Sequence, residues 1–400
     1  MTAYSDIYIQ DYAFCNVLGT SKEEIWENLS QNRFLLQKDT ALLANGSTYL
    51  GHIRDELPTL PDHLKQYHCR NNQVLALCLQ QLKNPIDKLI QRYGSMRIGV
   101  VMGTSTAGID LGEQAIQQAQ QTQTPHPDYH YRCQELGSAS GFVAKYLGIN
   151  GPHLSISTAC SSSGRVFLTA QRMLNADVVD AVIVGGADTL CHLTVNGFHA
   201  LASLSAEPNT PFAEKRKGIN IGEAGAVFLL SKEKSTLMLA GVGESSDAYH
   251  ISAPEPQGLG AEQAMRGALS AANLKPEEVG YLNLHGTATP LNDQMESLAV
   301  ARVFGKIPCS STKSLTGHTL GAAGATEAAI SCLLLEKCGG NSKNFLPRQT
   351  HDVSTLDSGL PQIGLITDDH QVLHSPVIMS NSFAFGGNNV SVIFRRVNHV

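Results

Sequence analysis

The chain has 400 residues, 42% of them hydrophobic and only 16% charged, with a formal net charge of −6. At ~150 residues per domain the length allows two to three domains, with apolar material enough for a large core. An acidic total with no long basic run argues against a nucleic-acid partner. No stretch reaches the ~18 consecutive apolar residues of a membrane span.

The nine cysteines are scattered and contain no CxxC pair, which argues against a zinc ribbon or thioredoxin-like motif. Their odd number suits a reducing cytoplasm better than a disulfide framework. The opening MTAYSDIYIQDYAF lacks the basic and apolar segments of a signal peptide. A cytoplasmic protein is expected.

In chain order, SKEEIWENL reads as a helix capped by Ser21, with Glu24 as its partner in a capping box. RNNQVLALCLQQL reads as a second helix. RIGVVMGTSTAG (97–108) is a buried strand ending in a loop of small residues, and GFVAKYLGI is a short helix. HLSISTACSSSGRVFLTAQRML runs strand, turn, helix. AVIVGGAD (181–188), GAVFLLSK (225–232) and LMLAGVG (237–243) are strands. The alternation then resumes. GAEQAMRGALSAANL is helical, VGYLNLHGTATP is a strand running into a loop, and DQMESLAVARVF is helical. GHTLGAAGATEAAISCLLLEK is a Gly-rich turn and a long Ala-rich helix, and SPVIMSNSFAFGGNNVSVIFRRV is strand, glycine loop, strand. Alternation of this kind predicts an α/β layered fold. GEAGAVFLLSK and GGNNVSVIFRR each place glycines before an apolar strand with a basic end. This echo suggests two related halves, 1–235 and 236–400.

Four stretches carry chemistry-bearing residues. In SISTACSSSGRVF, Cys160 falls at the start of a helix, where the positive end of the dipole favours thiolate. Small neighbours leave room for a substrate, as in a nucleophile elbow; a buried thiol in a Ser-rich turn fits these residues equally well. In NLHGTATPLND a strand delivers His285 to its carboxyl end, where ligands sit in parallel α/β sheets. Gly286 opens space, Thr287 and Thr289 add hydroxyls, and Asp293 and Glu296 follow; a satisfied core histidine is the even alternative. Lys313, His318 and Glu327 fall within fifteen residues, beside Gly317, Gly321 and Gly324. Tight helix packing accounts for Gly321 to Ala325 but not for a Lys and a His just before the helix, and the spacing is not that of a metal site. In NSFAFGGNNVSVIF, Phe383 and Phe385 flank Ala384, with Gly386 and Gly387 after them. Such a turn can aim a backbone N–H into a site, or it is a β-turn with core aromatics.

Taken in order, TACSS, HGTATPLND, KSLTGHTLGAAG and NSFAFGGNN resemble the motifs of the β-ketoacyl-acyl-carrier-protein synthases, the elongating condensing enzymes of fatty acid and polyketide assembly. The resemblance covers roughly the last 300 residues and is poor over the first 95. It implies a thiolase-like fold, in which two related α/β halves form a five-layered αβαβα core, and a dimer. The implied reaction is a decarboxylative Claisen condensation between an acyl thioester on Cys160 and malonyl-carrier. His285 and His318 then match the two imidazoles that donate to the enolate oxygen. Lys313 matches a lysine near the second histidine, and Glu327 a carboxylate that organises it. The backbone N–H groups of Cys160 and Phe385 match the oxyanion hole, and Phe385 also a gate. Thr287 and Thr289 match contacts to the pantetheine arm, with Phe383 and Gly386 among the substrate-binding residues. No metal or redox cofactor is implied, because the phosphopantetheine arrives on the acyl carrier protein. The implied partners are that carrier, acyl and malonyl thioesters, and a second identical or related subunit.

His318, where thiolases and initiating synthases differ, favours the Cys-His-His elongating class, and Cys160 argues against a non-elongating partner subunit. That subunit and a thiolase-type acyl-CoA enzyme are the alternatives. Ala384 and Asn388 stand where Gly and Thr are usual, INIGEAGAVF permutes the usual Gly-Glu-Gly-Ala, and the common Thr-Gly-x-Gly opening is missing. These departures point away from housekeeping elongation and toward a specialised pathway, such as aryl polyene assembly. Residues 104–108 and 195–204 are expected to shape the acyl pocket.

Overall fold

A computed structural model describes residues 6–124, 126–338, 345–349, 355–368 and 371–397. The strands are β1 (Ile7–Asn16), β2 (Gln37–Asp39), β3 (Thr48–Gly51), β4 (Ile98–Gly103), β5 (His153–Ile156), β6 (Ala181–Asp188), β7 (Ile221–Gly222), β8 (Ala224–Ser231), β9 (Leu237–Ser246), β10 (Tyr281–Asn283), β11 (Cys309–Ser310), β12 (Val377–Phe383) and β13 (Asn388–Arg396). The α-helices are α1 (Lys22–Ser30), α2 (Arg70–Gln81), α3 (Lys83–Tyr93), α4 (Ile109–Thr122), α5 (Ser138–Leu147), α6 (Ser162–Asn175), α7 (His192–Ala200), α8 (Leu259–Ala272), α9 (Pro290–Phe304), α10 (Lys313–Thr316) and α11 (Ala323–Lys337).

Ten strands pair in the order β11-β10-β12-β13-β9-β1-β8-β6-β4-β5. The order is symmetric about the antiparallel β1–β9 contact. On each side the next two pairings are antiparallel (β1–β8–β6 and β9–β13–β12) and the outer two are parallel (β6–β4–β5 and β12–β10–β11). Each half is thus the same five-stranded unit. β4, β6 and β8 are buried along their whole length, which explains why they read as continuous apolar runs rather than alternating ones.

Helices α6 and α11 lie between the halves, packing on each other and on strands of both. α2 and α5 cover the first half from outside, and α8 covers the second, packing on α9. The layers therefore run αβαβα, the thiolase-like arrangement. α11 is buried from Ala323 to Leu335 on every face, as a middle-layer helix must be. Where it crosses α6, a Cβ on Gly324 would lie 2.4 Å from the Gly164 nitrogen. Tight packing is therefore the correct reading of the glycines near 321–325.

The first 95 residues, which carry little signal in the sequence, supply the central strand β1. Helix α1 starts at Ser21, whose hydroxyl accepts from the Glu24 N–H at 3.2 Å. The Glu24 carboxylate accepts from the Thr20 N–H at 3.0 Å rather than from that of Ser21, so the expected box closes one residue upstream. All nine cysteines are free thiols. Among the described residues no helix is long and apolar enough to cross a membrane.

Candidate active site

The functional loops leave the carboxyl ends of four strands. Cys160 follows β5, His285 follows β10, Lys313 and His318 follow β11, and Phe383 to Gly387 close β12. β5 and β11 hold equivalent places in the two halves, and each leads into a central helix. The duplication therefore brings Cys160 and His318 to one point between α6 and α11.

The serines around Cys160 build its turn. Ser162 Oγ accepts from the Thr158 N–H at 2.9 Å and donates to the Ala159 carbonyl at 2.6 Å, and Ser161 Oγ donates to the Thr158 carbonyl at 2.9 Å. Ala159 is held at φ +50°, a conformation disfavoured for a residue with a Cβ and typical of a functional turn. Ser163 Oγ accepts from the Ala325 N–H at 2.8 Å and ties the turn to α11.

Cys160 Sγ lies 3.1 Å from His318 Nε2, and the His285 and His318 rings stand edge to face with centroids 5.4 Å apart. All three residues are 5% exposed or less. Lys313, itself buried, donates to the His285 carbonyl at 2.6 Å, to His285 Nδ1 at 3.4 Å, and to Glu327 in an ion pair. A lysine has no acceptor, so His285 Nδ1 must accept and the ring proton sits on Nε2. Among the described residues His318 Nδ1 has no hydrogen-bond partner, which leaves that ring free to take either tautomer. The group lines a cavity of about 230 Å³, shared with Thr287, Thr289, Phe383 and Phe385 and rimmed by Leu201 and Leu291, which are more than half exposed.

Two family models match the chain: "Beta-ketoacyl synthase, N-terminal domain" over residues 12–235 and "Beta-ketoacyl synthase, C-terminal domain" over residues 237–339. The chain belongs to the β-ketoacyl synthase family. It is 33% identical over 406 residues to 3-oxoacyl-[acyl-carrier-protein] synthase 2 of Coxiella burnetii (strain RSA 493 / Nine Mile phase I), covering 95% of this chain and 96% of the relative. The protein of the same name from Staphylococcus aureus (strain COL) is 29% identical over 404 residues, covering 95% of each. Among solved structures, the ketosynthase (ApeO) in complex with its chain length factor (ApeC) from Xenorhabdus doucetiae is similar at 46% identity and a TM-score of 0.94, covering 99% of each chain. A β-ketoacyl synthase from Burkholderia phymatum STM815 follows at 25% identity and 0.85, covering 98% of this chain and 100% of that one. The chain is thus an elongating ketosynthase of the thiolase superfamily and an acyltransferase.

Three expectations need correction in this ketosynthase. Burial pushes the Cys160 thiol up to about 11, against the pull of Lys313 and of the Phe385 and Cys160 N–H groups. Desolvation of the charge therefore outweighs the favourable start of α6, and the resting group is a thiol. Lys313 bonds directly to His285, and its charge acts on His318 as well, as expected. The Gly386 N–H is turned away to the Ile251 carbonyl at 2.8 Å, and Gly386 does not line the cavity. Of the expected pocket segments, Phe198, Leu201, Ala202 and Ser203 line it, while residues 104–108 do not.

Burial, followed by the nearby Lys313 charge, holds both imidazoles well below 6.5 and so neutral. Burial also raises Glu327 to about 7, with Lys313 opposing. Phe385 packs on Phe198 with centroids 5.6 Å apart. The two N–H groups that pull on the Cys160 sulfur, those of Phe385 and Cys160 itself, are the expected oxyanion-hole pair.

Sequence reasoning gave no role to two supporting residues. Glu296 accepts from the His285 N–H at 2.8 Å and the Gly286 N–H at 2.7 Å, clamping that loop. Its signal was an acid one helical turn after Asp293 in α9. Asp188 is fully buried beneath the Cys160 turn, and its only signal was an acid closing an apolar strand. Phe198 lies in the expected pocket segment 195–204, but its contact with Phe385 had no signal in the sequence.

Proposed function

We propose that this ketosynthase carries its growing chain on Cys160 and uses His285 and His318 to stabilise the enolate of malonyl-carrier. The observation that carries the reading is the meeting of one sulfur and two neutral imidazoles in a buried pocket with an apolar mouth. In the first half-reaction Cys160 Sγ attacks the acyl thioester, and His318 Nε2, 3.1 Å away, takes the thiol proton and returns it to the departing pantetheine sulfur. The N–H groups of Cys160 and Phe385 hold the tetrahedral oxyanion. In the second, malonyl-carrier loses CO2, and the enolate oxygen accepts from the Nε2–H of both rings. His285 is fixed in the donor tautomer by Lys313, and His318 reaches it because its Nδ1 is unconstrained. The enolate carbon then attacks the Cys160 thioester and releases the sulfur as a thiolate, which takes one proton from solvent to restore the resting thiol.

Thr287 and Thr289, joined by a 2.9 Å hydrogen bond, serve the pantetheine arm with Phe383, and Phe385 on Phe198 gates the acyl side. Phosphopantetheine enters with the carrier, and no metal or redox cofactor takes part. A specialised pathway such as aryl polyene assembly, with a chain-length-factor-like partner, is favoured over housekeeping elongation. The 46% identity to the Xenorhabdus ketosynthase, against 29–33% to the synthase 2 relatives, supports this, as do Ala384 and Asn388. The free edge of β5, where Leu154 is exposed, is the proposed seam for that partner. The cytoplasm, whose reducing poise suits nine free thiols, is the proposed compartment. The test is Cys160→Ala. Intact-mass analysis with acyl-carrier should show one acyl group on the wild type and none on the variant, and acylation persisting in the variant would refute the assignment.

A further inference from the structure

We propose that the cluster of Cys160, His285 and His318 is also a tight site for a soft divalent ion, Zn2+, whose occupancy holds the enzyme off. The inhibitory consequence rests on Cys160 being the nucleophile; the binding itself rests on geometry alone. One sulfur and two imidazole nitrogens form a zinc donor set, and these atoms all lie within 4.8 Å of one another. With Zn–S near ~2.3 Å and Zn–N near ~2.0 Å, tetrahedral ligands sit ~3.3–3.5 Å apart. The Sγ–Nε2 distance of 3.1 Å is a few tenths of an ångström short of this, and within the 4.8 Å limit the other ligand atoms need close by no more than about 1.3 Å. The ring centroids, 5.4 Å apart and edge to face, match two imidazoles sharing one ion.

The fourth position faces the cavity of about 230 Å³, with room for a water, so the site is of the open kind. Binding replaces the thiol proton: Zn2+ and Cys160–SH give the zinc thiolate and one H+. Each imidazole stays neutral, its nitrogen lone pair on zinc and its proton on the other nitrogen. His318 does this without loss because its Nδ1 has no partner among the described residues. His285 must move its proton to Nδ1, and Lys313 keeps the His285 carbonyl and Glu327 as acceptors. The Lys313 charge weakens binding, and its pairing with Glu327 offsets much of that. A sulfur bound to zinc cannot attack a thioester, and imidazoles bound to zinc cannot donate to an enolate.

The experiment titrates the full-length, metal-free protein with Zn2+ against a chromophoric chelator of known affinity. One equivalent is expected with a Kd below ~1 µM, weakened about 100-fold in Cys160→Ser. Enzyme acylated on Cys160 beforehand should take up no zinc at that affinity. With Co2+ in place of Zn2+, a thiolate-to-cobalt charge-transfer band should appear in the wild type and vanish in Cys160→Ser. Circular dichroism of that variant confirms that it is folded. Stoichiometric binding with no loss in Cys160→Ser, or no binding below ~1 µM, would overturn the proposal. Acylation of Cys160 measured in excess chelator separates the two readings: if it fails there, the nucleophile assignment falls, and if it proceeds there but is not blocked by zinc, the switch falls.

Discussion

Replacing Asp188 tests how the nucleophile turn is held. Asp188 Oδ1 accepts from the Thr104 hydroxyl at 2.7 Å, the Ser105 and Thr106 N–H groups at 2.8 Å, and the Thr106 hydroxyl at 2.8 Å. Ser105 Oγ then donates to the carbonyl of Ala159 at 3.2 Å, the positive-φ residue before Cys160. On the other side, a Cβ on Gly321 would lie 2.7 Å from Asp188 Oδ2, so the loop after His318 packs against the same carboxylate. Asp188 therefore positions both the sulfur and its imidazole partner. Its charge meanwhile opposes thiolate formation at Cys160. Asp188→Ala strands two buried N–H groups at ~1.5–3 kcal/mol each. For 400 residues unfolding as one unit, that lowers Tm by about 4–7 °C. A shift of up to ~1 Å in the turn slows Cys160 acylation ~100-fold. Asp188→Asn keeps an oxygen for the same donors but loses the charge, so Cys160 should be alkylated by iodoacetamide at lower pH than in the wild type. Scanning calorimetry and time-resolved intact mass read these effects. An Asp188→Ala protein with wild-type Tm and acylation rate, or an Asp188→Asn protein with an unmoved alkylation profile, would refute the argument.

Lys313→Met removes the donor that fixes the His285 tautomer; malonyl-carrier decarboxylation, followed as CO2 release, should fall ~10²–10³-fold while Cys160 alkylation survives. Glu296 carries a pKa of about 7 against 4.5 in the unfolded chain, so between those values the native state holds the extra proton. Its contribution to stability is therefore lost as pH rises from 4.5 to 7. In urea unfolding, the advantage of the wild type over Glu296→Gln should shrink by about 3 kcal/mol from pH 4.5 to pH 8, and a widening gap would contradict the burial argument. Gly324→Ala forces a Cβ onto the α6 backbone at Gly164 and should cost ~1–3 kcal/mol or more in the same assay.

What the sequence made legible was local. Each catalytic loop is a short run of small residues between a strand and the next element, so Cys160, His285, His318 and Phe385 announce themselves within a dozen positions. Lys313 shows the limit of such reading. Its neighbour in sequence is His318, yet its ammonium reaches His285, 28 residues away, because β10 and β11 lie side by side in parallel. Asp188 shows it again, since its donors lie 82–84 residues upstream and only the β4–β6 pairing brings them together. The charge state of Cys160 was beyond local reading for a different reason. The helix start that favours thiolate is visible in the sequence. The burial that overrides it comes from both halves closing over the sulfur, with His318 and Phe385 supplied by the second half.

Duplication explains why these particular long-range contacts form. β5 with α6 and β11 with α11 are the same unit placed twice, and the units meet at their helix starts, where Gly164 and Gly324 touch. A nucleophile at one helix start then finds an imidazole at the other without any long loop to position it. The precision of the site therefore depends on the α6–α11 crossing. If that is so, Gly324→Ala should slow Cys160 acylation more than its loss of Tm alone accounts for at a temperature where the variant is fully folded. A folded Gly324→Ala protein with a wild-type acylation rate would show that the active-site loops hold their geometry without the central helices.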